Sequence, residues 1–148
     1  MIRWLSMVMV LLVTFSVTAG DRLPPQVEVE SLTAGARCGD TEMGVRWLSR
    51  GDIYQRFADD NHHLLLISMG QQSSAGYSLT LLSTTAPLVD GVVSLQVAWN
   101  SPPADMMVAQ VVTEPCLVLA LKRQTYEGVQ VVDSHGKPKM TLSRSSPE

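Results

Sequence analysis

Catalytic signatures are missing from this 148-residue chain. It has no G-x-S-x-G elbow, no H-E-x-x-H pair, no glycine-rich phosphate loop and no cysteine beside a plausible histidine base. An enzyme needs a positioned acid, base, nucleophile or metal, so the reading is of a non-enzyme without a cofactor. Strong charge is missing as well. Eleven Lys and Arg stand against fourteen Asp and Glu, for a formal net charge of −3. The basic residues are scattered rather than set in a stripe, which argues against nucleic acid as a partner. Cysteine is scarce. Cys38 and Cys116 are the two present, and their spacing is not that of a zinc site. His62, His63 and His135 form no ligand pattern with either. No internal repeat is visible.

What is present begins with the N-terminus, "MIRWLSMVMVLLVTFSVTAG". One positive charge, Arg3, precedes an apolar core from Trp4 to Phe15, and Val17-Thr18-Ala19 supplies the small residues of a signal-peptidase site. The pattern predicts a secretory signal over 1–19, cleaved after Ala19. The run is shorter than the roughly 20 apolar residues a span requires, and no basic stop-transfer cluster follows. No cysteine flanks the cleavage site, which argues against a lipid anchor. The expected product is a periplasmic or secreted bacterial protein without membrane contact. Its roughly 129 residues suit one domain. In an oxidising compartment two thiols usually pair, which predicts a Cys38–Cys116 disulfide. Closing 78 residues (116 minus 38) would contribute about 4–5 kcal/mol by chain entropy. The alternative is two separate buried thiols.

The mature chain reads as mainly β: an antiparallel β-sandwich or rolled sheet with one short helix over about 51–60. "VEVESL" alternates and suggests a strand, followed by the glycine-rich "TAGARCGDTEMG", so 20–44 reads as an N-terminal strand and loop. In "WLSRGDIYQRFADDN", Ile53, Phe57 and Tyr54 fall at helical spacing, with Asp52 in the first turn. "HLLLISMG" is a continuous apolar run of buried-strand length. "YSLTLLS" and "VVSLQVAW" alternate, the latter placing Val93, Leu95, Val97 and Trp99 on one face. "TTAPLVDG" reads as a connection and "NSPPAD" as a break, since paired prolines do not sit inside a sheet. "MMVAQVVTEP", "CLVLALKR" and "GVQVVD" are further strand candidates. The β domain so read covers 45–133, and the polar "SHGKPKMTLSRSSPE", 134–148, reads as a disordered tail.

Few residues invite a chemical role. His62-His63 after Asp59-Asp60 suggests a transition-metal site, yet neighbours in an extended segment point to opposite faces, so a solvated loop entering a strand is the plainer reading. Ser73 and Ser74 have no nearby base. Cys116 lies between a proline and an apolar run, which favours a bridged or buried sulfur over a nucleophile. Met106-Met107 suggests copper only weakly and packing or a loop-tip apolar contact more strongly.

One ordering of features is more specific. "LLLISMG" ends an apolar strand in glycine, "QQSSA" follows, and Gly76-Tyr77 opens "GYSLTLL". Then come "VVSLQVAW", the proline loop "NSPPAD", Gln110, and "TEPC" stepping into "LVLALK". From about Arg46 to Lys122 this resembles the PrcB-like family, named after an accessory subunit of a bacterial secreted protease complex. Ser74-Ala75-Gly76-Tyr77 stands where the family usually carries a Thr-Gly-Gly-Tyr-like step. The resemblance implies a non-catalytic exported domain that binds and stabilises a protein partner, in the founding case a protease. The implied contact residues are Gln71, Gln72, Ser73, Ser74, Gly76 and Tyr77, with Met106 and Met107. Gly76 would permit a turn other residues resist, and Tyr77 would set an amphipathic ring at the loop base. The expectation is an exposed loop joining two adjacent antiparallel strands. The polar-Gly-Tyr loop also looks like the first loop of chagasin-like cysteine-protease inhibitors, whose other loop signatures are not recognisable here. A periplasmic inhibitor is therefore the second reading, and a metal-binding exported protein the third.

Overall fold

The structure, a computed structural model, describes residues 22–49, 51–57 and 59–144. The expected signal peptide lies outside the described residues. Nine strands carry the chain: β1 Gln26–Gly35, β2 Met43–Trp47, β3 His62–Met69, β4 Ser78–Leu81, β5 Thr85–Val89, β6 Val92–Asn100, β7 Cys116–Lys122, β8 Gly128–Val132 and β9 Pro138–Ser143. The hydrogen-bonded order is β2-β3-β7-β1-β5-β6-β8-β9, with β4 on β6. β2 and β9, at the two ends of that order, approach within 8 Å between Cα atoms. The sheet thus rolls almost shut into a barrel-like sandwich.

β1 joins the two halves. Gln26–Glu28 pair with β5, whereas Val29–Gly35 pair with β7, and the register shifts between Ser31 and Thr33. A shift of this kind bends a strand, which lets one ten-residue strand serve both layers. One pairing departs from the antiparallel expectation: β6 and β8 run parallel. The chain leaves β6, passes through β7 in the other layer, and returns in the same direction, as a parallel pair requires.

Alternation decides what is inside. Val93, Leu95 and Val97 of β6 are fully buried, and Trp99 packs partly behind them. β3 and β7 are apolar on both faces because both faces are covered. Leu65, Ile67, Leu117, Leu119 and Leu121 enter the barrel core. On the outer side, Leu66, Cys116 and Val118 form a second small core with Tyr54, flanked by Leu32, Cys38, Leu48 and Phe57. The Cys38–Cys116 disulfide forms, with Cα atoms 6.0 Å apart, within the usual span for a bridge.

The structure corrects four readings. The helix over 51–60 shrinks to a 3-10 turn at Gln55–Phe57. Nucleating so short a helix is unfavourable, and the segment is organised by burying Tyr54 and Phe57 on the outer core while Ile53 stays 76% exposed. "TTAPLVDG" contains β5, and Pro87 is tolerated where the strand changes partner from β1 to β6. Asp90 and Gly91, both at positive φ, close the β5–β6 hairpin, the conformation two-residue hairpins prefer. "MMVAQVVTEP" is not a strand, and its sheet-like contacts are two isolated bridges, Thr113 with Gln72 and Glu114 with Arg37. The stretch 134–148 is not a free tail as far as it is described. After a turn closed by Gly136 N–H donating to the Asp133 carbonyl (2.9 Å), β9 pairs with β8, and Met140 and Leu142 pack on the core. Their alternation with Lys139, Thr141 and Ser143 is the period of a one-sided strand.

Candidate protein-binding surface at the loop end

Antiparallel pairing of β2, β3 and β7 brings three connections to one end of the barrel. They are 36–42, 70–77 and 101–115. Contrary to the expectation of a loop between adjacent antiparallel strands, Gln71–Gly76 joins strands that do not pair: β3 pairs with β2 and β7, whereas β4 pairs with β6. The loop carries the chain from one layer to the other. Gly70 starts the crossing at φ +72, with its ideal Cβ position 2.7 Å from the Met43 amide nitrogen. No side chain fits there. Gly76 ends it at φ +94, where a Cβ would sit 2.8 Å from Pro102 Cβ.

Backbone hydrogen bonds knit the three connections. Gln72 and Thr113 exchange both bonds (2.7 and 3.0 Å), Ala75 N–H donates to the Ala109 carbonyl (2.9 Å), and Gln71 N–H to the Thr41 carbonyl (2.9 Å). Glu114 N–H donates to the Ala36 carbonyl (2.8 Å), and the Glu114 carboxylate accepts from Gly39 N–H (3.2 Å). The buried Thr113 hydroxyl donates to the Ser74 carbonyl (2.9 Å). The disulfide ties Cys38 of the first connection to the base of the third.

Gln71, Ser73 and Gly76 are exposed, Gln72 and Tyr77 half-buried, and Ser74 only 7% exposed. Ser74 therefore belongs to the scaffold of the loop. Met106 is 58% and Met107 100% exposed, beside exposed Val111 and Val112. The structure thus joins the two separate stretches singled out in the sequence, through the Ala75–Ala109 backbone bond and a packing so close that a Cβ on Gly76 would meet Pro102 and Val108. What the surface offers is apolar side chains and small polar groups. Among the described residues of 70–77 and 101–113, Tyr77 and Asp105 are the only ionisable side chains.

Residues 64–122 match the family model described as PrcB C-terminal. That stretch is PrcB-like. The match runs from the third residue of β3 to the last of β7, so it contains both the crossing loop and the methionine loop, and it leaves β2 and the 3-10 turn outside. None of the curated proteins or solved structures compared with the chain matches it.

The opposite end of the barrel holds residues that sequence reasoning missed or misplaced. His62 and His63 diverge as an extended pair must. His62 Nδ1 lies 2.8 Å from the exposed Asp59 carboxylate. His63 turns inward and meets Trp47 and Tyr126 edge-on, each at 5.9 Å between ring centroids. Trp47 and Tyr126 stack at 6.2 Å. The Arg144 guanidinium lies 5.4 Å from the Tyr126 centroid and 3.2 Å from His63 Nε2. Burial, then Arg123 and Arg144, push His63 down to about 4, so at neutral pH its Nε2 is free to accept from Arg144. Burial pushes Tyr126 up to about 12. Among the described residues no three His, Cys, Asp or Glu converge on one point. The PrcB-like match begins one residue after His63, so it omits His63 together with Trp47, Tyr126 and Arg144. No local motif marks this cluster, because its members come from four separate elements.

Proposed function

We propose that the chain is an exported, non-catalytic protein-binding domain, accessory to a secreted protease, and that it docks through the loop end. The observation that carries this reading is the placement of fully exposed Met107, with Met106, Val111 and Val112, on a loop hydrogen-bonded to the PrcB-like crossing loop. Exposed methionine adapts its shape to a partner at little cost. Loops held on a rigid scaffold are where binding residues concentrate. The Cys38–Cys116 bond supports export, because disulfides persist in oxidising compartments. The likeness to a protease-complex subunit is what supports a protease as the partner.

The test is affinity capture of the tagged protein from its producing cell, alongside a Met106→Glu/Met107→Glu variant. Mass spectrometry should recover a protease with the wild type and lose it with the variant, while the two melt within about 1 °C of each other. Equal recovery by both would place the docking surface elsewhere. Titrating the recovered protease with the wild-type protein then separates the roles. Activity should persist and survive heating longer, whereas loss of activity would favour an inhibitor.

A further inference from the structure

The methionines of the described residues fall into two groups. Met69 and Met140 are half-buried and pack on the barrel core. Met43, Met106 and Met107 are exposed, and all three lie at the loop end. Met43 opens β2 beside Gly70, where the crossing loop starts. Met106 and Met107 belong to the 101–115 connection and to neither core cluster. Thiols and thioethers are the side chains that climb the oxidation ladder. Both thiols are already taken up in the Cys38–Cys116 bond, and no free cysteine remains among the described residues. The exposed thioethers are therefore what an oxidant meets, and they sit on the surface assigned above to docking.

We infer that Met106 and Met107 are a reversible oxidation site, at which a peroxide releases the partner from the loop end. The inference rests on the docking reading. In the step itself the thioether sulfur attacks one oxygen of hydrogen peroxide. An S–O bond forms and the O–O bond breaks. The proton on the transferred oxygen passes to the departing hydroxide, giving water. Sulfur is oxidised by two electrons and the peroxide is reduced by two. The product, methionine sulfoxide, is polar where the thioether was apolar, which disrupts methionine-rich interfaces. A partner face shaped for thioethers leaves the new oxygen without a donor. No lysine or arginine in 70–77 or 101–113 is at hand to answer it. The fold is spared, because neither side chain contributes to the core. Sulfoxide is reduced back to thioether by reductases, one for each epimer, so the release can be undone.

The test exposes the purified tagged protein to graded hydrogen peroxide and maps the added oxygen by peptide mass spectrometry. Met106 and Met107 should be oxidised at concentrations that leave Met69 and Met140 intact, with the melting temperature unchanged. Each sample then enters the affinity capture, and the recovered protease is quantified. Recovery at limiting protein should fall roughly tenfold, the effect of leaving one polar group unpaired in an interface. The fall should keep step with sulfoxide at Met106 and Met107, and recovery should return after treatment with the two sulfoxide reductases. Oxidation of Met69 or Met140 as early as Met107 would overturn the site. Full recovery by the oxidised protein, a loss that tracks Met43 instead, or a loss that reduction does not restore would overturn the release. These outcomes leave the docking reading standing. A protein that captures no protease before any oxidation would sink the docking reading, and the release with it.

Discussion

At the loop end the backbone does the holding. Gln72 and Thr113 exchange amide bonds, Ala75 and Gln71 reach neighbouring carbonyls, and Met106, Met107, Val111 and Val112 are left outside. At the aromatic end side chains do it: Trp47, His63 and Tyr126 interlock under Arg144, with Tyr126 buried and Trp47 and His63 half-buried. The difference decides where change is tolerated. A surface whose geometry is set by backbone bonds can vary its outward side chains without unfolding. A plug made of packed rings cannot. The first arrangement suits recognition of a protein, and the second suits closing one end of the barrel.

Four experiments sharpen or break that comparison, starting with the largest effect. Removing the bridge with Cys38→Ala and Cys116→Val should cost about 4 kcal/mol in denaturant unfolding, the value for a loop of this length. Hydrogen exchange should show the loss at the loop end, at the amides of Gln72 and Thr113, before it reaches Leu65 or Leu121. Uniform loss of protection would mean that the two ends are not separable. Gly76→Val should cost about 2–3 kcal/mol, because positive φ strains a β-branched residue and the new Cβ meets Pro102. An unchanged urea midpoint would show that the crossing loop has room to shift.

Ser74→Glu should cost about 2 kcal/mol by forcing a charge into a buried position. Ser73→Glu, at an exposed neighbour, should change stability by less than about 0.5 kcal/mol. Equal melting of the two would mean that the loop is not held as described. The smallest effect is at the aromatic end. His63 titrates at about 4 when folded against 6.5 ordinarily. Between those values the unfolded chain binds a proton that the folded chain refuses. Stability therefore falls as pH drops through that window. The change should stay under about 1 kcal/mol, since the ring is only partly buried and screened by solvent. His63→Gln should flatten the urea midpoint between pH 7 and pH 4.5 relative to wild type; parallel curves would show that the ring is solvated in the folded protein.

Much of the fold was legible because it depends on local period. Alternation in "VVSLQVAW" marks a half-buried strand, and the unbroken "LLLI" and "CLVLAL" mark strands covered on both sides. The pairing of Cys38 with Cys116 followed from there being two cysteines. Gly76 was legible as a turn because few other residues accept its backbone conformation. Tertiary structure decided what long-range pairing controls. It recruited "PKMTL" as a ninth strand, since β8 offered an edge and Met140 and Leu142 had core to cover. It denied "MMVAQVV" a partner and left its apolar side chains on the surface. It buried Ser74 but not Ser73, because Thr113 reaches the Ser74 carbonyl from 39 residues away. It gathered Trp47, His63, Tyr126 and Arg144 at one point. Periodicity reports which face of an element is apolar, but strand order and register decide which faces meet.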